Sequence, residues 1–423
     1  MFVKLNLSRY AALLTFIAGL AAAAAVTADP VDHHFSGFAT LGLVVNDNPD
    51  LRFRRDVSQA DGSYDNDIAW KTDSLVGVQW QSRWSDQFDT TIQLVAKERF
   101  NNNFDKAIEW AFLRYRPMDG LDFRVGRLGS DLFMLSEYRQ VGYAFPWVRP
   151  PQEFYGFLSF YHFDGMDINK RFDLQHGTLN VKLFYGNSDE DYPTADADTP
   201  GVNMDFDVAG ISFKLEWDDW KFRYSYSHVD INNNIVTPLT DALAGVAPLW
   251  PEANIFAHDL STRDKYIIYN EFGVGYDNND WWAQAEATDL RSDSSLMPNS
   301  RHFYLSIGQR FGPVSVYGIG GYVRPKHDVP AIIPPAGYPS PIAEQLAILA
   351  YVTSASLEGV RLEQKSYGVG ARWDFASKMA VKLQVEKFDI ESDGSGLWVR
   401  NQPIGTDIDQ TSTVISLAMD VLF

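Results

Sequence analysis

The most constraining feature of this chain is a period of two without any long apolar run. Beyond the first 28 residues, no segment reaches the roughly 18 consecutive apolar residues of a membrane helix. Instead Thr413, Ile415, Leu417, Met419, Val421 and Phe423 share one parity, and Val414, Ser416, Ala418, Asp420 and Leu422 the other. Met379, Val381, Leu383 and Val385 alternate with Ala380, Lys382, Gln384 and Glu386. Trp220, Phe222, Tyr224 and Tyr226 alternate with Lys221, Arg223, Ser225 and Ser227. Successive side chains of a strand point to opposite faces, so each segment reads as a strand with one apolar and one polar face.

Read this way, the sequence predicts strands near 34–46, 73–84, 88–99, 106–116, 120–127, 161–172, 178–186, 206–217, 220–230, 264–277, 280–290, 301–311, 313–324, 362–375, 378–390 and 411–423, sixteen in all. Seven connections are short and carry turn residues: Ser85–Gln87, Pro117–Asp119, Asp173–Gly177, Asp218–Asp219, Asn278–Asn279, Gly312 and Ala376–Ser377. The eight between them, at 47–72, 100–105, 128–160, 187–205, 231–263, 291–300, 325–361 and 391–410, are mostly longer. Strict alternation of short and long connections is the pattern of an antiparallel up-and-down transmembrane barrel, with short periplasmic turns and long external loops. The fold class expected is therefore all-β, a membrane-spanning barrel of sixteen strands. Trp84, Phe88, Tyr115, Trp217, Trp220, Trp281, Phe311, Trp373, Phe375 and Phe423 sit at or beside the short turns, where an interfacial aromatic girdle belongs. A soluble β-sandwich also buries one face per strand, but it predicts neither feature.

The first residues read as a targeting segment. Lys4 and Arg9 precede the apolar run Ala11–Ala25, and Val26 and Ala28 suit cleavage before Asp29. Residues 1–28 are thus expected to be a secretory signal and 29–423 the barrel domain; a short N-terminal anchor is the alternative. The chain contains no Cys, which removes disulfides, thiolate metal sites and cysteine nucleophiles. Its net charge of −19 argues against nucleic acid as a partner.

The opening Phe35-Ser36-Gly37-Phe38-Ala39-Thr40-Leu41-Gly42 strand and the terminal alternation ending in Phe423 resemble those of the Gram-negative general porins, trimeric sixteen-stranded outer-membrane barrels. The segment between Tyr138 and Gly156, Arg139-Gln140-Val141-Gly142-Tyr143-Ala144-Phe145-Pro146-Trp147-Val148-Arg149-Pro150-Pro151-Gln152-Glu153-Phe154-Tyr155, resembles a less-studied porin-like branch. The resemblance implies a homotrimer, lipid and lipopolysaccharide as surroundings, Phe423 as an assembly signal for the barrel-insertion machinery, and a third external loop folded into the lumen. That loop is 128–160. It carries Asp131, Glu137 and Glu153, with Arg139 and Arg149, and its Phe145, Pro146, Trp147, Pro150 and Pro151 suit a loop held in one conformation.

Strand parity assigns the lumen face. Val76, Val78 and Trp80 to lipid leave Gln79, Gln81 and Arg83 inside; Phe88, Ile92 and Leu94 to lipid leave Gln93, Lys97 and Arg99 inside. Leu121, Phe123 and Val125 outside leave Asp122 and Arg124 inside, and Met166 and Ile168 outside leave Asp167, Asn169 and Arg171 inside. Strand 106–116 is ambiguous. Arg114 and Arg116 inward put Glu109 on the outer face, the cheaper choice, since a midplane Arg facing lipid costs roughly 2–4 kcal/mol. A basic patch of Arg83, Lys97, Arg99, Arg114 and Arg124 is expected, with Asp131, Glu137 and Glu153 brought towards it to set up a transverse field. The bland alternative is that these cations only make lumen ion pairs.

No His lies at a zinc spacing from another, and Asp47, Asp50, Asp189, Glu190, Asp191, Asp196 and Asp198, expected in external loops, lack a calcium-loop pattern. No metal or cofactor is expected. The acidic residues read as a solvated rim or as a divalent bridge to lipopolysaccharide. Gly273/Gly275, Gly318/Gly320 and Gly368/Gly370 open no helix and so are not nucleotide loops. The Pro-rich loop 325–361 turns apolar from Ile342 to Ala350 and suits a short helix. The function expected is a water-filled channel for ions and small hydrophilic solutes, not an enzyme. A channel preferring small anionic metabolites is the first alternative. A barrel hydrolase built on His258, Asp259 and Ser261 is the second.

Overall fold

A computed structural model describes residues 31–101, 104–158, 160–193, 201–297, 299–403 and 405–423. The expected signal segment, Asp196 and Asp198 lie outside them. Sixteen long strands form the wall: β1 (Asp32–Asn46), β2 (Leu75–Arg83), β3 (Phe88–Lys97), β4 (Ile108–Met118), β5 (Leu121–Gly129), β6 (His162–Leu174), β7 (Gly177–Tyr192), β8 (Val202–Trp217), β9 (Trp220–Ile231), β10 (Lys265–Asp277), β11 (Trp281–Ser292), β12 (Ser300–Phe311), β13 (Val314–Pro325), β14 (Leu362–Ala376), β15 (Met379–Ser395) and β16 (Thr411–Leu422). Each pairs antiparallel with its chain neighbour, and β1 pairs with β16 from Phe38↔Leu422 to Asn46↔Val414. That last pairing closes the barrel and leaves no edge. Phe423 extends it by two backbone bonds with Gly37, of 2.8 and 3.0 Å. Its ring lies so close that a Cβ on residue 37 would sit 2.3 Å from it, which explains the glycine.

The short turns reverse the chain through left-handed residues. Gly120, Asp218, Asn279, Gly312 and Lys378 have φ between +49° and +72°. Such residues match the twist of a tight hairpin. The expected strands are all present, but several run further. β7 reaches Tyr192, so Asp189, Glu190 and Asp191 belong to a strand and not to a loop. β15 continues to Ser395. β7 stays paired with β8 as far as Tyr192↔Val202, whereas β15 beyond Ile390 is paired again only at Ser395↔Leu362.

The outer face is apolar at mid-height. Leu43, Leu417 and Leu383 lie side by side in register on β1, β16 and β15 and are 40–48% exposed. Trp217, Trp220, Trp281, Phe311, Trp373, Phe375 and Phe423 ring the short-turn end and are likewise exposed. An apolar band with an aromatic girdle is the surface a lipid bilayer demands. Among the described residues, no helix is long and apolar enough to cross a membrane.

The interior departs from an empty tube. The third loop lies inside the barrel, and its Phe133, Phe145, Trp147, Phe154 and Phe160 are buried against wall residues Phe184, Phe206, Tyr269, Trp282 and Tyr304. Trp147 meets Trp282 and Tyr304 edge-on, with ring centroids 6.0 and 5.9 Å apart, and donates to Ser306 at 2.8 Å. Towards the long-loop end, Phe53 packs on Phe388 and Trp398. Above this, helices α1 (Thr237–Val246), α2 (Ala253–Leu260) and α3 (Ser340–Val360) share a second core of Leu243, Trp250, Leu260, Leu346 and Leu357. The short helix expected in 325–361 is thus 21 residues long. This cap rises from the connections after β9 and β13. The other side of the mouth, over β3–β7, has no helix of this kind among the described residues.

Candidate solute path

The wall β2–β7 carries the expected cations, each set by strand parity. Arg114 and Arg116 both reach the buried Asp89, at 2.9 and 2.6 Å. Arg124 forms a bidentate pair with Asp167 on β6 and lies over the Phe112 ring. Arg171 pairs with Asp119 and Asp173 near the short-turn rim. Arg83 faces the same end, is exposed, and has no ion-pair partner among the described residues. Arg99, just beyond β3, bonds Glu109 at 2.5 Å. Lys97 points at the Tyr161 ring, its Nζ 3.0 Å from the centroid.

Glu109 corrects one expectation. It does not face outward. The β3–β4 register runs Gln93↔Trp110 and then Leu94↔Ile108, so residue 109 is an extra residue in the ladder. This bulge resets the parity. Arg114 and Arg116 keep their inward phase, and Glu109 also turns inward, to Arg99 and His162.

The third loop is held by buried charge pairs with wall strands on both sides. Asp131 meets Arg223 (β9) and Lys182 (β7) at 3.1 Å each and Lys214 (β8) at 3.4 Å. Burial alone would raise its pKa, but these three cations outweigh burial and hold Asp131 well below the ordinary carboxylate range. Glu137 meets Lys182 at 2.9 Å, and Lys182 and Lys214 pull its pKa down. Glu153 faces the other way, accepting from Gln364 (β14) at 3.0 Å, and burial pushes its pKa up. Arg139 donates to the loop's own Leu158 and Phe160 carbonyls. Arg149 pairs with Asp73 and with Glu386 on β15. Lys382 (β15) donates to the Gly142 and Trp147 carbonyls and pairs with Asp420 (β16) at 2.8 Å.

The structure therefore brings Asp131 and Glu137 to β7–β9 and Glu153 to β14, and sets none of the three in a direct ion pair with Arg83, Lys97, Arg99 or Arg114. The carboxylates that answer the basic wall come from the wall itself: Asp89, Glu109 and Asp167. Asp89 shares the parity of Gln93 and Lys97, so its inward position was readable. Its double pairing needed the β4 register.

Two polar cavities lie on this one arc of wall. A narrow one at the long-loop end is lined by Ser58, Arg99, Glu109, Tyr161, His162 and Glu190. A wider one at the short-turn end, of about 650 Å³, is lined by Arg83, Arg114, Arg116, Asp122, Asn169 and Arg171 among others. β4, β6 and β7 contribute to both. Much of the remaining bore is filled by the loop and its aromatic packing, which also reaches Phe112 on β4 and Phe184 on β7. His258 and Asp259 lie on the exposed helix α2, 3.2 Å apart, with Ser261 at its C-cap, remote from this arc. Among the described residues, no group of three or more His, Asp or Glu is arranged to hold a metal ion.

No protein-family model matches the sequence, and no curated protein matches it. Solved structures do. The outer-membrane expressed OmpT of Vibrio cholerae superposes with a TM-score of 0.51 at 11% identity, covering 94% of this chain and 99% of its own. OmpF of Salmonella typhi, solved as a complex with daunomycin, superposes with a TM-score of 0.52 at 12% identity, covering 92% of this chain and 97% of its own. The shared feature is the fold, a β-barrel traced over nearly the whole chain.

Proposed function

We propose that this chain is a channel of the Gram-negative outer membrane that passes ions and small hydrophilic solutes by diffusion along an eccentric route on the β2–β7 wall. The observation that carries the reading is the pair of polar cavities at opposite ends of the same wall, lined by Arg99, Glu109 and Glu190 at one end and by Arg83, Arg114 and Arg171 at the other. A hydrated solute exchanges water for these fixed charges and avoids the apolar side of the bore. The barrel as a homotrimer, delivered by the insertion machinery and bedded in lipopolysaccharide, belongs to the same reading.

A preference for small anions is the finer form. In the wide cavity Arg114 and Arg116 share one carboxylate, Arg83 has none among the described residues, and the buried Arg116 Nε lacks a hydrogen-bond partner. The test is reconstitution of the detergent-purified protein into planar bilayers. Stepwise conductance with a reversal potential favouring chloride supports both forms. Conductance without anion preference leaves only the general channel, and silence from folded protein overturns both.

A further inference from the structure

Gly318 and Gly320 fall on the outward parity of β13, between Val316 and Tyr322. Their neighbours across the ladders are large: Ile307 and Leu305 on β12, Val369 and Tyr367 on β14. All four of those side chains are exposed. A Cβ at Gly318 would meet nothing nearer than 4.0 Å. Two successive outward positions without side chains thus cut a furrow into the lipid face, walled by β12 and β14. On the other side of the β12 ridge, Ala283, Ala285 and Ala287 of β11 form a shallower lane opposite Ile307, Leu305 and Phe303.

Both lanes end at one cluster of cations. Arg301 and Arg324 stand directly opposite each other in the β12–β13 register, and both are exposed. Like charges placed so repel each other. The nearest carboxylate is heavily shared: Asp289 takes Arg291 at 2.8 Å, Lys326 at 2.8 Å and Arg301 at 3.4 Å. Arg324 makes no side-chain hydrogen bond or ion pair among the described residues, and its Cζ lies 5.3 Å from the Tyr322 ring centroid. On β14 and β15, Glu363 is engaged by Arg361 at 2.5 Å and Asp389 by Lys365 at 3.4 Å. Three cations therefore share one carboxylate, and a fourth has none.

The height of the cluster is that of a lipid headgroup. Arg301 lies ten residues from Phe311 of the short-turn girdle. At roughly 3.4 Å per residue and a tilt of about 40°, that is roughly 25 Å along the membrane normal, the height of the apolar band. Just beneath the arginines, Phe303 and Tyr322 pair in register with ring centroids 5.7 Å apart. Aromatic rings of this kind mark the headgroup level.

We propose that this strip of outer wall binds one phosphorylated, multiply acylated lipid of the outer leaflet, its phosphate held between Arg301 and Arg324 and its chains laid in the β11 and β13 lanes. The inference takes its membrane orientation from the channel reading above and needs nothing of conduction. Planar guanidinium groups match phosphate oxygens through paired N–H donors, and the phosphate relieves the repulsion between the two arginines. A free anion suits the arginines but gains nothing from the furrow. The exposed Asp189, Asp205 and Asp230 on β7–β9 of a second copy offer carboxylates without chains to fill it.

The test is native mass spectrometry of the protein in maltoside micelles, titrated with diphosphoryl lipid A. Parent, Arg301→Gln/Arg324→Gln and Gly318→Leu are compared, with folding checked by heat-modifiable gel mobility. The parent is expected to retain one lipid per barrel in a large excess of inorganic phosphate. Affinity is expected to fall about fivefold for each arginine replaced and about threefold when Leu fills the furrow. If the double variant does not fold, Arg324→Gln alone is used, since that side chain has no bond to lose. Lipid binding by the arginine variants at the parent level overturns the site. Displacement by inorganic phosphate, or unchanged affinity in Gly318→Leu, reduces it to a free-anion patch and overturns the lipid. Arginine variants that lose the oligomer band on unheated gels, yet bind lipid like the parent, make the arc a contact between copies instead. Conductance of the folded variants is expected to match the parent, because these side chains face away from the bore. A silent parent that still binds the lipid overturns the channel and leaves this site standing.

Discussion

Arg149 of the third loop and Asp73 beside β2 form a bidentate ion pair, Nε to Oδ1 at 3.0 Å and Nη2 to Oδ2 at 2.8 Å, with both side chains 1% exposed. The same guanidinium bonds Glu386 at 3.0 Å and also Ser416. One residue thus pins the loop to both sides of the β1–β16 closure.

Removing that pin leaves two buried carboxylates without their cation. Breaking a buried pair on one side typically costs about 3–5 kcal/mol. Arg149→Met is therefore expected to lower the midpoint of urea unfolding in lipid vesicles by that margin and to make single-channel current noisier. A double variant that also carries Asp73→Asn should recover part of the loss.

Gly142 is a close approach between the loop and the barrel seam. A Cβ there would lie 2.1 Å from Asp420 Oδ1 and 2.6 Å from Thr40 Oγ1, which are themselves bonded at 2.6 Å. Gly142→Ala must displace the Asp420 carboxylate from Lys382. Overpacking of this kind costs about 1–3 kcal/mol. Thermal unfolding followed by gel mobility reads it, and Gly318→Ala serves as a control, since an added Cβ there would meet nothing nearer than the Gly368 carbonyl oxygen at 4.0 Å.

Glu153 gives the loop a pH signature. Burial raises its folded pKa above the ordinary glutamate value of about 4.5. A raised carboxyl binds its proton more tightly folded than unfolded, so its contribution is complete below pH 4.5 and is lost as pH rises through the folded value. Glu153→Gln keeps an amide where the protonated acid sat and is expected to flatten this part of the stability curve. Denaturation midpoints across that window, parent against variant, measure it.

The lipid-facing row Leu43–Leu417–Leu383 should not accept charge. Leu417→Arg at mid-band is expected to cost roughly 2–4 kcal/mol, while a charge on the parity of Ser416 faces the interior instead. Unfolding from lipid vesicles separates the two positions.

Much of the wall was legible because period-two alternation is a local signal. It placed Arg124, Asp167 and Arg171 on one face and all sixteen strands in order. It missed Glu109, since a bulge shifts parity by one residue without marking the sequence. The filled half of the bore left a readable sign: Phe163, Phe184, Phe206 and Phe388 occupy the inward parity near the long-loop ends of four strands, where an aqueous wall would carry polar groups. The partners of Asp131, Glu153 and Arg149 were not legible. They lie on strands β7–β9, β12, β14–β16 and beside β2, and only the path of the loop through the interior brings them together.

The seam between Gly37 and Phe423 has a temporal meaning. β1 is made first, and its far edge has no mate until the last residues emerge, almost four hundred positions later. Until then the unfinished wall offers open hydrogen-bonding margins and a greasy flank to any neighbour, the condition under which chains aggregate. Loss of even a few terminal residues would prolong that vulnerable interval indefinitely, turning a closing defect into a quality-control problem for the cell that makes it.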